Sequence, residues 1–333
     1  MTLDRDSVTL VEEIVRDGSY ASDFKFDPDD LGTLVAQLDA LTFVDYIDIG
    51  PGTGFGTETP VPEPPAEEHL EIAVDAVTDT RLTTLLLPDI AGQEEVDLIA
   101  SYADVLDFVR VGVDADNPSA ATELLDACAE LGVTTSLNLL KTYLVSPAEA
   151  ADAARLAADR GTEVVYVVDS AGGFYPGDVV DYVTAIRDAA TVDIGYHGHD
   201  NTGMALQNTL TAVDSGATYV DSSLQGIGRS AGNLQTELLC AKYQSDLTDE
   251  DWHRLAALEK ALEEIYPGDH GVSIRDILYG LAQFHSSFES ELREVAVRHE
   301  DAFLDVLVYA ARHRLSTVDA VRKEYESGRS GLK

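Results

Sequence analysis

Positive charge is scarce in this chain of 333 residues: 22 Lys and Arg stand against 61 Asp and Glu, a formal net charge of −39. Lysine occurs only at Lys25, Lys141, Lys242, Lys260, Lys323 and Lys333. Such a surface repels nucleic acid and anionic membranes, so neither is an expected partner. The acidic residues run through almost every helical stretch instead of forming a tail. We read that as halophilic adaptation, since at about 1 M salt the Debye length shrinks to ~3 Å and self-repulsion is screened. Cysteine is nearly absent: Cys128 and Cys240 cannot build a disulfide framework and sit in apolar helical patterns, as buried small hydrophobes do. Nowhere do 18 apolar residues run together, and residues 1–6 lack the basic-then-apolar layout of a signal peptide. A cytoplasmic location is the expectation. A dinucleotide fingerprint is missing too. The first strand-like run leads into Arg16-Asp17-Gly18, and the glycine-rich Gly52-Thr53-Gly54-Phe55-Gly56 after the second is not completed into one.

What the sequence does have is an alternation. Short apolar runs of strand length fall at Val8–Val15, Val44–Ile49, Leu82–Leu87, Phe108–Val113, Thr134–Leu140, Val164–Val168, Val192–Tyr196 and Tyr219–Leu224. Amphipathic stretches such as Asp29–Leu41, Ser119–Leu131, Pro147–Ala158 and Gly177–Ala190 lie between them. Strand and helix repeated eight times predict a parallel sheet covered by helices, closed into a (β/α)8 TIM barrel over residues 1–248. From about Asp249 the pattern is helical throughout, with Trp252–Tyr266, Ile274–Val297 and Ala302–Arg312. Residues 249–333 are therefore expected to be a helical extension docked on the barrel or on a partner.

Active sites of such barrels lie at the C-terminal ends of the strands. His197 and His199, two residues apart at the end of the seventh run, project from one face of a strand toward the mouth. Two imidazoles on one face beside a carboxylate suit a divalent metal, and Asp17, after the first strand, is the expected third ligand. Asp200 and Asn201 are read as groups that orient the imidazoles. Arg16 beside Asp17 has two readings: a structural partner for a carboxylate, or a guanidinium that holds an anionic substrate oxygen and stabilises an enolate. Lys141, ending the fifth run, raises a competing Schiff-base route, although that leaves Asp17 and the histidines without a role.

Several of these stretches resemble a known superfamily. Arg16-Asp17-Gly18, His197-Gly198-His199-Asp200-Asn201 and the glycine-rich turn at 226–233 are similar to those of the pyruvate-carboxyltransferase-like, or HMG-CoA-lyase-like, barrels. Thr84-Leu85-Leu86-Leu87-Pro88-Asp89-Ile90, Asp169-Ser170-Ala171-Gly172-Gly173 and Phe284-His285-Ser286-Ser287-Phe288 resemble the 4-hydroxy-2-oxovalerate aldolase branch. The resemblance implies a divalent cation, Mn²⁺ or else Mg²⁺ or Co²⁺, on Asp17, His197 and His199, with Asn233 as a further candidate ligand. It also implies Arg16 against the enolate, Ser170 near the substrate carboxylate and Leu87 lining the aldehyde pocket. In that branch a histidine matches Tyr20 and a tyrosine matches His285. This chain carries the pair in reverse, and we take Tyr20 and His285 as an exchanged catalytic pair with His285 the base.

The expected activity is class II pyruvate aldolase: cleavage of a 4-hydroxy-2-oxo acid to pyruvate and an aldehyde. Alternatives are an acyl-CoA condensing synthase of the homocitrate or citramalate type, and a catalytically silent barrel subunit of a dehydrogenase complex. The resemblance further implies an acylating aldehyde dehydrogenase partner reached through the helical extension. A homo-oligomer is also expected.

Overall fold

Short runs rich in Val, Leu and Thr form eight strands in the computed structural model, which describes residues 7–24, 27–50, 66–242, 247–268, 270–284 and 288–329. They are β1 (Thr9–Glu12), β2 (Tyr46–Asp48), β3 (Arg81–Leu86), β4 (Leu106–Asp114), β5 (Thr134–Leu140), β6 (Val164–Asp169), β7 (Asp193–Gly198) and β8 (Tyr219–Ser222). Each pairs in parallel with the next, and β1 pairs with β8, so the barrel closes in sequence order. The expected TIM barrel is what forms.

Among the described residues, seven helices occupy the connections: α1 (Pro28–Asp39), α2 (Ala66–Ala76), α3 (Gln93–Ala100), α4 (Thr122–Leu131), α5 (Pro147–Ala158), α6 (Pro176–Ala189) and α7 (Ala205–Ser215). Their start signals are in the sequence. At α5 Pro147 occupies the first turn, and Ser146 and Glu149 exchange hydrogen bonds, Glu149 accepting from the Ser146 amide at 2.7 Å, a capping box that fixes where the helix begins. After β8 come α8 (Thr236–Cys240), then α9 (Asp249–Ile265), α10 (Ile274–Ala282), α11 (Glu289–His299), α12 (Phe303–Arg312) and α13 (Val318–Arg329). Among the described residues no helix is long and apolar enough to cross a membrane. Cys128 and Cys240 are buried and form no disulfide.

Two sequence boundaries are corrected. The run Val8–Val15 is a strand only to Glu12: the Ile14 amide turns back to the Glu12 side chain at 3.1 Å and the Asp17 amide to the Glu13 carbonyl at 2.7 Å. The stretch Ile274–Val297 is two helices, because Gln283 takes φ 58 after α10, a left-handed conformation that helix cannot continue through.

The interior of the barrel explains where the site sits. Side chains two residues apart on a strand share a face, so each inward position stacks on the one below it. Near the N-terminal end, Tyr46, Phe108 and Tyr219 meet ring to ring, with Phe108 at 5.2 Å from Tyr46 and 5.6 Å from Tyr219. Val11, Val164, Tyr166 and Val168 pack with them. Two residues further along the same strands stand Asp48, Arg110 and Asp221, all buried. An apolar plug is thus followed, one step up the pleat, by a layer of charge.

Candidate active site

The charged layer is built around Arg110. Its guanidinium contacts Glu13 and Asp221, lies 3.0 Å from Asp48 and sits 4.7 Å from the Tyr166 ring centroid. Arg16, presented by the turn after β1, contacts Glu13 and reaches Asp17 at 3.0 Å and Asp48 at 3.5 Å. Both readings of Arg16 thus hold geometrically: it is paired, and it lines the cavity.

Counting charges, Glu13, Asp17, Asp48 and Asp221 are four carboxylates against two guanidiniums. Burial of unbalanced charge is costly, and the structure shows where the imbalance is felt. Burial, then the neighbouring Glu13, pushes Asp48 up to about 7, and burial also raises Asp221. For Glu13, burial is overcome by Arg110 and Arg16, which hold it well below the usual carboxylate range. Asp17 is likewise lowered, burial being outweighed by Arg16 and then the two histidines.

Above this layer opens a cavity of about 770 Å³. Arg16, Asp17, Tyr20, Leu87, Ser170, His197 and His199 all line it. The rings of His197 and His199 are 5.1 Å apart, centroid to centroid. His197 turns Nδ1 to Asp221 at 2.9 Å and His199 turns Nδ1 to the Gly232 carbonyl at 3.2 Å. A carbonyl oxygen only accepts, so the proton of His199 lies on Nδ1 and Nε2 keeps its lone pair. Burial, then His197, pushes His199 down to about 4, which keeps that lone pair free at neutral pH.

Asp17 Oδ2 accepts from the Asn233 side-chain amide at 2.7 Å and from the Arg229 amide at 3.1 Å. The turn can come this close only because residue 228 is glycine: a Cβ there would stand 2.4 Å from Asn233 Nδ2 and 2.6 Å from Asp17 Oδ2. Asn233 Oδ1 is buried without a hydrogen-bond partner among the described residues, an orphaned oxygen of the kind a cation satisfies. Asn233 itself stands behind Asp17 and is not among the residues lining the cavity.

A tighter group, Glu13, His197 and Asp221, brings one donor atom each within 4.8 Å of one another. We do not assign the metal there. Arg110 already occupies Glu13 and Asp221, and His197 uses Nδ1 on Asp221. A carboxylate that receives the far nitrogen of an imidazole is what orients a metal-binding histidine. Asp17, His197 and His199 line the cavity together, with the Nδ1 atoms of both histidines already tethered; a divalent cation would answer the excess of carboxylate charge around them.

The HMGL-like family matches residues 7–261. This chain belongs to that family. It is 36% identical to the oxaloacetate decarboxylase of Mycobacterium tuberculosis over 304 residues, 89% of this chain and 88% of that protein. It is 31% identical to 4-hydroxy-2-oxovalerate aldolase 2 of Nocardia farcinica over 319 residues, 92% of this chain and 89% of that protein. The HMG-CoA lyase of Brucella melitensis shares the fold, with a TM-score of 0.64 at 17% identity, over 78% of this chain and 99% of that one. The protein is a lyase.

The remaining candidates of this HMGL-like lyase divide clearly. The Ser170 hydroxyl oxygen accepts from the Lys141 amide at 2.9 Å, leaving its own proton to donate. Leu87 packs over Gly112, where a Cβ would meet its Cδ2 at 2.8 Å. Tyr20 is half-buried, and burial raises its phenol above the usual value, so it keeps its proton at neutral pH. His285 lies outside the described residues, as does Gly52–Gly56. Lys141 is exposed and its amine pairs with Asp114 at 2.8 Å, which is not the desolvated setting of a nucleophilic lysine. Sequence reasoning missed Glu13, Asp48, Arg110 and Asp221. The signal was there in Arg110, a lone arginine inside the apolar run Phe108-Val109-Arg110-Val111, which burial permits only if it is paired.

Proposed function

We propose that the protein is a divalent-metal-dependent class II pyruvate aldolase, cleaving a 4-hydroxy-2-oxo acid to pyruvate and an aldehyde. The observation that carries this reading is the pair of histidines with tethered Nδ1 atoms beside Asp17 and Arg16, all on one cavity. Asp17, His197 and His199 would hold the cation, Mn²⁺ first among the candidates, with Asn233 behind them. When bound, the ion supplies Lewis-acid charge to a 2-keto oxygen. Arg16, fixed by Glu13 and Asp48, faces the same oxygen and stabilises enolate charge. Ser170 donates to the substrate carboxylate. A base takes the 4-hydroxyl proton, the C3–C4 bond breaks into the enolate, and Tyr20 returns a proton to C3. His285 is the base in this reading, and His285→Ala should remove most turnover while metal content stays intact.

A second reading is decarboxylation of oxaloacetate. It needs no base, and among the described residues lining the cavity the phenol of Tyr20 offers a proton donor while no histidine besides the two metal candidates is present. The relative in Mycobacterium tuberculosis bears that name. A lactate-dehydrogenase-coupled assay decides between them: pyruvate from 4-hydroxy-2-oxo acids, lost with EDTA and restored by Mn²⁺, supports aldol cleavage. Pyruvate from oxaloacetate alone transfers the assignment to the decarboxylase, and thiol release from acetyl-CoA with a 2-oxo acid transfers it to a condensing synthase. The acylating dehydrogenase partner and the homo-oligomer belong to the same proposal, to be sought by co-purification and by light scattering.

A further inference from the structure

Four cationic side chains line the cavity: Arg16, Arg110, Lys141 and Arg229. Three are already committed. Arg16 is shared among Glu13, Asp17 and Asp48, Arg110 among Glu13, Asp48 and Asp221, and Lys141 is held by Asp114. Arg229 has no carboxylate partner among the described residues. Its guanidinium carbon stands 5.0 Å from the centroid of the Tyr20 ring, an aromatic face that orients the fork without neutralising it. In a chain with 61 acidic and 22 basic residues, Arg229 stands exposed at the cavity rim, beside Tyr20 and with no carboxylate to neutralise it among the described residues.

The loop that carries it is well anchored. The Arg229 amide donates to Asp17 Oδ2 at 3.1 Å, and the Gly232 amide donates to the Arg229 carbonyl at 3.0 Å. Ser230 takes φ 63 and its hydroxyl accepts from Asn201 at 2.8 Å. The Arg229 backbone is therefore held against the proposed metal ligand Asp17, and its side chain lies over the Tyr20 ring.

We infer that Arg229 receives a second carboxylate, so that the preferred substrate is a dianionic 2-oxo acid whose distal half is charged. The inference rests on the pyruvate-aldolase reading for where the 2-oxo acid end lies. A carboxylate gripped by a guanidinium is stabilised as a carboxylate, which opposes its leaving as CO2. The distal carboxylate therefore stays on the aldehyde fragment: the hydroxyl proton leaves, the C3–C4 pair enters the enolate, and the aldehyde departs with its carboxylate intact.

The test compares two five-carbon ligands that differ at one end, 2-oxoglutarate and 2-oxopentanoate, by calorimetric titration of the full chain with Mn²⁺ present. A charge-assisted bidentate pair predicts that the wild type binds 2-oxoglutarate roughly 10- to 100-fold more tightly. Arg229→Met should bring that ratio to about one, and Arg229→Lys should keep part of it. A ratio near one in the wild type, or a preference that survives Arg229→Met, overturns the inference. Pyruvate release from 4-hydroxy-2-oxoglutarate and 4-hydroxy-2-oxopentanoate is read in parallel. Intact discrimination with no pyruvate from either substrate would sink the aldolase reading and leave the anion subsite standing, and pyruvate release without discrimination would do the reverse.

Discussion

Asp221 offers the cleanest way to ask whether the buried charge layer serves the proposed metal. Its Oδ2 accepts from His197 Nδ1 at 2.9 Å and from Arg110, while its Oδ1 is buried without a hydrogen-bond partner among the described residues. Asp221→Asn can place its amide oxygen where Oδ2 stands, keeping both acceptances and the tilt of the imidazole, and removes one negative charge. The imidazole then loses the anionic neighbour that makes Nε2 electron-rich. Losing such a partner typically weakens metal binding about 10- to 100-fold, or roughly 1.4 to 2.7 kcal/mol. Asp221→Ala removes the acceptor altogether, leaving His197 and Arg110 facing a void. Breaking a buried pair in this way costs about 3–5 kcal/mol of folding stability. The assay is Mn²⁺ titration of EDTA-stripped protein, with guanidinium chloride unfolding of the same samples. Asparagine should lower affinity more than it lowers the unfolding midpoint, and alanine should lower both. If the asparagine variant binds Mn²⁺ as the wild type does, Asp221 does not tune His197 and the assignment of that histidine fails with it.

Glu12 gives a pH prediction. Burial, against the opposing hydrogen bond from Thr236, raises it to about 8 from 4.5. The folded state then holds a proton that the unfolded chain has released, so the contribution is complete below pH 4.5 and is lost as pH rises through 8, on the order of 5 kcal/mol in total. The gap between the urea midpoints of Glu12→Gln and wild type should widen steadily in favour of glutamine from about pH 5 to about pH 8 and level off above it; parallel curves would refute this. With a net charge of −39, raising salt from 0.1 to 1 M shortens the Debye length from about 10 to 3 Å and should raise the melting temperature, and a flat or falling curve would remove the halophilic reading. Tyr20→Phe removes a proton donor while keeping the ring under Arg229. It should cost about 10²-fold in kcat with Mn²⁺ affinity unaltered, and full activity would take Tyr20 out of the mechanism.

Much of the barrel is legible because its rules are local. The strand Thr134–Leu140 and the helix Pro147–Ala158 have the bounds the sequence predicts, since β-branched residues and the Ser146-Pro147 start signal act within a few residues. The placing of Arg16, Asp17, His197 and His199 on one cavity follows from strand ends, and that of Tyr20, Leu87 and Ser170 from the family resemblance. The layer beneath does not. Asp48 and Asp221 are single acids inside apolar runs, and only the closed barrel shows that both meet Arg110. Arg229 looked like one residue of a glycine-rich loop because its meaning lies in a carboxylate partner it lacks. The break between α10 and α11 was hidden for a similar reason: apolar spacing continues through it, and nothing before Gln283 marks the turn.

Glu12 and Glu13 are adjacent in the chain and point opposite ways. Glu12 accepts from the Leu224 amide at 2.9 Å and from Thr236, joining the first strand to the segment after the last, while Glu13 holds both arginines of the interior. One dipeptide therefore ties closure of the ring to assembly of the reactive centre. A chain still emerging from the ribosome has its aspartate and Arg110 early, yet nothing to organise them until the eighth strand arrives. Competence should switch on in one step at that point, and a chain cut just before Tyr219 should be inert however well its remaining strands pair.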